Sequence, residues 1–548
     1  MASERVAHIR KLVVANRGEI AARIFATCRR LGIATVAVAA PDDRGAFHTR
    51  RADAVEAIGS YLSASDVVDA ATRAGADGVH PGYGFLAESA GLAEAVRAAG
   101  LRWVGPPPDV LRAAGDKLEA KRIAAAAGIP VVETGSPEEL GFPLVIKAAA
   151  GGGGRGMRVV RSPAELDEAA EAARREAMAA FGDDRVFFER YVERPRHVEI
   201  QLLADAHGAI VHLGERECSI QRRYQKVLEE SPSPALDPPL RHRMGEAAVA
   251  FAGALAYEGA GTAEFILGED GRFAFLELNA RIQVEHPVTE LVTDVDLVEQ
   301  QLRVAAGEAL ALEPRDPDGH AVEVRVYAEH PLTFLPQAGR VERLALPDGV
   351  RVDAGVEAGD EVPVAYDPMI AKLIAHAETR AEALERLALA LDETRVSGVT
   401  TNLPLLRWLV RHPAVRDGQT TTAFLVEHPP LSRFPRIAPP WRGYWRLNRD
   451  HATPPPVRRP PPVVETASHA TDAVGHAERT LVAPMPGTVI RVLAGEGDRV
   501  EPRQTLVVLE AMKMETPLGS PYEATVRRVN VAEGDRVTGG TVLVELEA

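Results

Sequence analysis

Residues 451–478, HATPPPVRRPPPVVETASHATDAVGHAE, are rich in proline and small polar residues and nearly devoid of large apolar ones. Such a stretch cannot bury a core, so it divides the chain into units that must fold separately. In the extended polyproline regime roughly 30 residues span at most on the order of 90 Å, which gives the downstream unit freedom to travel. That unit repeats itself: APMPGTV (483–489) answers SPYEATV (520–526), and GEGDRVEPRQTLVVLEA (495–511) answers AEGDRVTGGTVLVELEA (532–548), an offset of 520 − 483 = 37 in both cases. Asp498 thus corresponds to Asp535, and Glu510 to Glu547. Neither copy can close a core alone, so the two are expected to pair as quasi-twofold halves of a flattened all-β barrel. MKMET lies between them, which places Met512, Lys513 and Met514 on the connecting hairpin, with Lys513 at its tip.

The chain of 548 residues is too long for one core, and at roughly 150 residues per domain three or four are expected. Its first 115 residues alternate apolar runs with amphipathic stretches: KLVVAN (11–16), AARIFATCRRLG (21–32), IATVAVAA (33–40), GVHPGYG (78–84) and WVGPP (103–107). This is βαβ patterning and implies a parallel sheet. A second unit follows, with PLVIKAAAGGGGRGMRVV (143–160) and VFFERYV (186–192). A third carries a hairpin signal at TAEFILGEDGRFAFLEL (262–278) and an Arg/Ala/Leu-rich helix near 380–391.

A net charge of −15 without a basic tract argues against a nucleic-acid partner. No apolar run approaches the roughly 18 residues of a membrane span, and the N-terminus lacks a secretory signal. Cys28 and Cys218 form no pair or metal-ligand cluster, which suits a reducing, cytoplasmic setting. Only seven of the 63 basic residues are lysine (Lys11, Lys117, Lys121, Lys147, Lys226, Lys372 and Lys513), leaving 63 − 7 = 56 arginines. Where this chain keeps a lysine, a compact ammonium is the reason to look for, although Lys11 and Lys121 can be chance survivors.

Two features carry phosphate chemistry. GGGGRGM (151–157) follows a strand ending near Lys147, and its backbone amides suit phosphate oxygens; taken alone, such a run is as often a flexible turn. If GEDG (268–271) closes a tight hairpin, Gly268 pairs with Gly271, Glu264 with Phe275, and Glu277 becomes the diagonal neighbour of Glu264. Phe265, Phe275, Leu276 and Leu278 mark that sheet as buried. Converging buried carboxylates call for a cation, and Mg²⁺ with nucleotide phosphates is the natural one.

EAMKMET between two repeat halves resembles the biotinyl domain family over residues 480–548. A lipoyl domain shares the architecture but usually has an acidic residue before its lysine, whereas Met512 and Met514 flank Lys513 here. Residues 1 to about 447 resemble biotin carboxylase of the ATP-grasp superfamily. The resemblance rests on ANRGEIA (15–21), HPGYGFLAE (80–88), GDK (115–117), the glycine loop, PRHVEIQ (195–201), QRRYQKV (221–227), LELNARIQVEHPVTE (276–290) and YDPMIAK (366–372), in that order. It implies an α/β fold with a Rossmann-like N-terminal domain (1–115), an ATP-grasp domain (116–330) with a mobile lid at about 132–203, and a C-terminal α+β domain (331–447). The linker (448–479) and the all-β biotinyl domain (480–548) follow.

Carried onto this chain, the resemblance implies that Lys117, Lys147, Gly152, Gly153, Gly154 and Met157 hold ATP phosphates, while Glu189, Tyr191 and Val192 cradle adenine. His197, Gln221 and Tyr224 would lie near the ribose. Glu264, Glu277 and Asn279 would bind Mg²⁺ or Mn²⁺. Lys226, Arg281, Gln283 and the Val284 backbone would hold bicarbonate, with Glu285 as its base. Arg351 would stabilise the biotin enolate, and Tyr83 would seat the ureido ring. In an isolated RIQVE, Arg281 and Glu285 would read as a structural ion pair; next to the metal hairpin the catalytic reading prevails. One departure is Tyr224, where the family commonly has a histidine; tyrosine can hydrogen-bond but gains no charge near neutral pH.

The reaction so implied is ATP, bicarbonate and biotinyl-Lys513 giving ADP, phosphate and carboxybiotinyl-Lys513 through carboxyphosphate. No carboxyltransferase pattern is present, so a separate carboxyltransferase (β) subunit is implied. Its acceptor would be an acyl-CoA such as acetyl- or propionyl-CoA, with pyruvate and urea systems as alternatives. A biotin protein ligase and a homo-oligomer formed through the carboxylase domain are the other expected partners. The rivals are a biotin carrier with an inert carboxylase half, and an ATP-grasp ligase acting on another acid, which would leave the biotinyl domain without purpose.

Overall fold

The computed structural model describes residues 9–150, 157–222, 224–312, 316–430, 480–485, 487–511 and 514–547. The glycines 151–154, the 448–479 linker and Lys513 lie outside the described residues. The chain forms two compact units, one comprising Met1–Phe334, Gly339–Val362 and Met369–Pro430, the other holding the repeat.

KLVV, ATVAVA and GVH are apolar at nearly every position, the mark of strands covered on both faces. They lie in a five-stranded parallel sheet in the order Ala54–Ala57, Ala34–Ala39, Lys11–Val14, Gly78–His80, Arg102–Trp103. The helix Gly18–Leu31 ends at Gly32, whose φ of 72° is the left-handed conformation that stops a helix at low strain. The strand order reverses beside Lys11–Val14, and an open parallel sheet receives ligands at such a switch point, beyond the strands' carboxyl ends. Asn16 pins that crevice by donating to the carbonyls of Pro81 at 2.8 Å and Tyr83 at 2.7 Å.

The next layer is a small antiparallel sheet, Arg158–Val160, Leu144–Ala148, Val186–Arg190, backed by the helix Leu166–Phe181. Leu144, Ile146, Val160, Ala170 and Ala173 form its core. The largest sheet has eight strands, all antiparallel to their neighbours, in the order Phe273–Asn279, Gly259–Leu267, Arg196–Ala204, Ile210–Arg222, Gln225–Ser231, His320–Tyr327, Met369–Ala377, Arg351–Ala354. It takes strands from both sides of residue 330, so the regions expected as separate domains on either side of that residue share one sheet.

The repeat unit consists of two four-stranded sheets. One runs Thr480–Val482, Val542–Glu547, Ala524–Val529, Arg499–Val500; the other runs Met514–Gly519, Thr505–Ala511, Gly487–Val492, Arg536–Val537. Shifting residue numbers by 37 carries each sheet onto the other, strand for strand. The core obeys the same shift: Leu506 and Leu543, Val507 and Val544, and Leu509 and Leu546 are buried in pairs. Ala511 pairs with Met514, so the two strands run up to residues 512 and 513. Leu543→Ala should lower this unit's stability by about 2–5 kcal/mol. Calorimetry of the full chain should show the corresponding transition moving down; an unmoved transition would argue against a packed symmetric core.

Candidate active site

The two carboxylates expected to converge do so, in a different register. Gly271 takes a φ of +74°, and the Gly268 N–H donates to Arg272 O at 2.9 Å. The left-handed glycine therefore inserts one residue into the turn, and Gly268 pairs with Arg272 rather than Gly271. A second register shift lies between Glu264 and Phe265, so Phe275 faces Phe265, and Glu264 faces Glu277 directly instead of diagonally. Glu199 flanks Glu264 on its other side, and Arg216 flanks Glu199. Glu277, Glu264, Glu199 and Arg216 thus form one row across four strands.

Side-by-side carboxylates repel, and buried cations offset the repulsion. The Lys226 ammonium lies 2.5 Å from Glu199, 2.9 Å from Glu264 and 2.6 Å from Glu285. Burial alone would drive that ammonium towards neutrality, but the three carboxylates hold its pKa well above the ordinary lysine value. Arg216, fully buried, reaches Glu199 at 2.5 Å, Gln201 at 2.7 Å, Thr289 at 2.9 Å and Thr262 at 3.2 Å. His197 sits 3.0 Å from Glu264 and 2.8 Å from Gln221. Burial would raise the Glu264 carboxyl, yet Lys226 and His197 hold it well below its usual range.

Glu285 occupies the N-cap position of the helix His286–Thr293 without a side-chain capping bond and is 1% exposed. Besides Lys226 it meets Arg325 at 3.0 Å. Burial opposes its charge, but Lys226, Arg325 and Arg216 prevail and keep it far below the normal carboxylate pKa. It is an anion throughout the neutral range. Arg281 gathers the neighbouring turn: it donates to Asn279 at 2.9 Å and Gln283 at 2.9 Å, and pairs with Glu88 at 3.0 Å.

Lys117 is the first residue of a helix capped by the Asp116 side chain, and it reaches Glu277 at 3.1 Å. Glu264, Glu277 and Asn279 project oxygen donors from one face of a hairpin, the hard-ligand set that suits Mg²⁺. Lys226 and Lys117 already lie against the two carboxylates, so a doubly charged cation would have to share or displace these contacts. The ligand atoms of His197, Glu199 and Glu264 also lie within 4.8 Å of one another, but Lys226 already supplies the cation between the two glutamates.

Lys147 and Glu189 form a separate cluster on the small sheet, 2.6 Å apart, with Lys121 on the other Glu189 oxygen. Lys121 is no surface remnant: it is 6% exposed. Burial depresses its pKa while Glu189 pulls the other way. Tyr191 and Val192 follow that strand, partly buried, as is Met157. Tyr224 occupies a positive-φ turn and is 47% exposed. Tyr83 donates to Glu19 at 2.5 Å. Arg351 is held by Glu290 at 2.7 Å and Asp353 at 2.9 Å.

Sequence reading did not single out Glu199, Arg216, Arg325, Glu88 or Glu19, and it marked Lys372 only as one of seven lysines. Glu199 carried a usable signal, since it alternates with His197 and Gln201 on one strand face. Arg216 and Arg325 carried none, because their partners come from distant segments.

Residues 8–111 match the biotin carboxylase N-terminal domain, 116–313 the carbamoyl-phosphate synthase L chain ATP binding domain, 323–427 the biotin carboxylase C-terminal domain, and 479–546 the biotin-requiring enzyme family. The chain is 46% identical over 440 residues to biotin carboxylase 2 of Bacillus subtilis, covering 76% of this chain and 99% of that protein. It is 45% identical over 448 residues to the mitochondrial methylcrotonoyl-CoA carboxylase subunit alpha of Dictyostelium discoideum, a match to 77% of this chain that spans 64% of that relative's length. The biotin carboxylase domain of 2-oxoglutarate carboxylase from Hydrogenobacter thermophilus, solved as a dimer with MgADP, ADP and bicarbonate, superposes with a TM-score of 0.76. It shares 42% identity and covers 77% of this chain and 98% of its own.

Proposed function

The chain belongs to the biotin carboxylase family and carries a biotinyl domain at its C-terminal end, and from that premise we propose that it carboxylates biotin held on its own Lys513, using ATP and bicarbonate. The carrying observation is the placement of Lys226, one ammonium between the metal-side carboxylate Glu264 and the base Glu285. Bicarbonate enters against Lys226, Arg281, Gln283 and the Val284 backbone. Its negative charge competes for Lys226 and so loosens the ion pair that suppresses the basicity of Glu285. Glu285 then takes the bicarbonate proton as the oxygen attacks the γ-phosphate. Lys117, Lys147 and the glycine loop orient the triphosphate, and Arg281 and Lys226 stabilise the charge that develops. Mg²⁺ held by Glu264, Glu277 and Asn279 would neutralise phosphate charge.

Arg351 and Tyr83 face the ureido ring, and Glu189, Tyr191, Val192, His197, Gln221 and Tyr224 the nucleoside. The carboxylated carrier serves a separate carboxyltransferase subunit acting on an acyl-CoA. The Dictyostelium relative, named for an acyl-CoA, supports that choice, and the Hydrogenobacter one, named for a 2-oxo acid, marks the alternative. The proposed enzyme works in the cytoplasm and dimerises through its carboxylase domain, a reading supported by the dimer in which the Hydrogenobacter domain was solved; among the described residues no helix is long and apolar enough to cross a membrane.

The test is ATP hydrolysis by the full chain with free biotin. Phosphate release should require Mg²⁺, bicarbonate and biotin together, and Glu277→Gln should abolish it. An absence of biotin-dependent turnover would leave only a carrier role. Co-purification of the partner subunit, followed by assay of acetyl-, propionyl- and methylcrotonoyl-CoA against pyruvate and 2-oxoglutarate, identifies the acceptor.

A further inference from the structure

Lys372 is one of the seven lysines, and its side chain is completely buried. Its ammonium lies 2.9 Å from Glu19 and 3.5 Å from Asp353, and donates to the Val284 carbonyl at 2.8 Å. Each contact leads to a residue of the reaction site. Glu19 accepts the Tyr83 hydroxyl, Asp353 holds Arg351, and Val284 immediately precedes Glu285. These acceptors come from the first helix, the strand Arg351–Ala354 and the turn before His286–Thr293. A flexible ammonium with three divergent donors can meet all three, whereas a planar guanidinium cannot. That explains a lysine here in a chain that otherwise prefers arginine.

Plain charge neutralisation would need only one carboxylate. Glu19, whose carboxylate lies 2.9 Å away, would serve. The bond to the Val284 carbonyl is therefore surplus to neutralisation, and it fixes the turn that presents Glu285.

We propose that Lys372 is a positioning residue that couples the bicarbonate turn Gln283–Glu285 to the biotin-facing residues Tyr83 and Arg351, so that filling one half of the site orders the other. The proposal rests on the biotin carboxylase reading above. Its distinctive consequence is communication: loosening the biotin side must be felt by bicarbonate.

The test uses steady-state ATP hydrolysis by the full chain, varying biotin, bicarbonate and ATP in turn. Tyr83→Phe removes one hydroxyl, bound to Glu19, from a residue assigned to the biotin side, yet it should raise KM for bicarbonate as well as for biotin. Lys372→Met should raise both by about tenfold or more, the loss expected for a buried charged hydrogen bond, with KM for ATP changing by less than about twofold. In the Lys372→Met background, Tyr83→Phe should no longer affect bicarbonate, because the connection is already cut. If Lys372→Met does not fold, Glu19→Gln, which keeps shape and removes charge, should reproduce the paired rise. A Tyr83→Phe protein with altered biotin KM and unchanged bicarbonate KM overturns the coupling, as do effects that multiply independently. Failure of the underlying reading is distinguishable, because the unaltered chain would then show no biotin-dependent hydrolysis.

Discussion

Protein carrying Lys513→Arg, made in cells with an active biotin ligase, is expected to contain no biotin, whereas the unaltered chain gains one. Arginine keeps the charge of the side chain but cannot supply the deprotonated amine that acylation needs. Few other lysines could substitute. Lys121, Lys147 and Lys372 are buried, and the Lys226 side chain is 12% exposed among three carboxylates. Intact mass and streptavidin binding provide the measurement; a streptavidin-positive Lys513→Arg chain would sink the assignment. The same protein should still hydrolyse ATP when free biotin is supplied, since the altered residue belongs to the carrier and not to the carboxylase. The separation of carrier from catalyst is thus visible in one preparation.

Glu285→Gln is expected to lower kcat for biotin-dependent hydrolysis by about 10²–10⁴, the usual contribution of a positioned general base. The amide retains the shape of the carboxylate and accepts no proton. KM for bicarbonate should fall or stay level, because Lys226 and Arg325 lose one of the anions they serve and present more field to an incoming anion. ATP binding, followed by nucleotide fluorescence or calorimetry, should persist. A lowered kcat with raised bicarbonate KM would indicate collapse of the ion network instead of loss of a base, and normal turnover would remove Glu285 from the proton transfer.

The parts legible in the sequence were those carried by local pattern. The 37-residue offset foretold a twofold unit because strand boundaries and core positions repeat with it, down to the buried pair Leu506 and Leu543. The βαβ alternation foretold the parallel sheet. The convergence of Glu264 and Glu277 was legible, but their pairing was not: one inserted residue at Gly271 and one shift after Glu264 set it, and neither bulge leaves a mark in polarity. Least legible was the ion network. Lys372 meets Glu19 from the far end of the domain, and a net charge of −15 says nothing about which charges are buried together. Lys121, dismissible on composition, proved to be part of that hidden electrostatics.

The exchange of strands between the two sheets of the repeat unit has a mechanical consequence. Thr505–Ala511 and Met514–Gly519, the strands on either side of residues 512 and 513, belong to one sheet, while Thr480–Val482 and Val542–Glu547 lie side by side in the other. Thr480–Val482 leads directly to Gly487–Val492 of the other sheet, so a pull at residue 480 reaches the strands that bracket residues 512 and 513 along the backbone as well as through the apolar filling between the sheets.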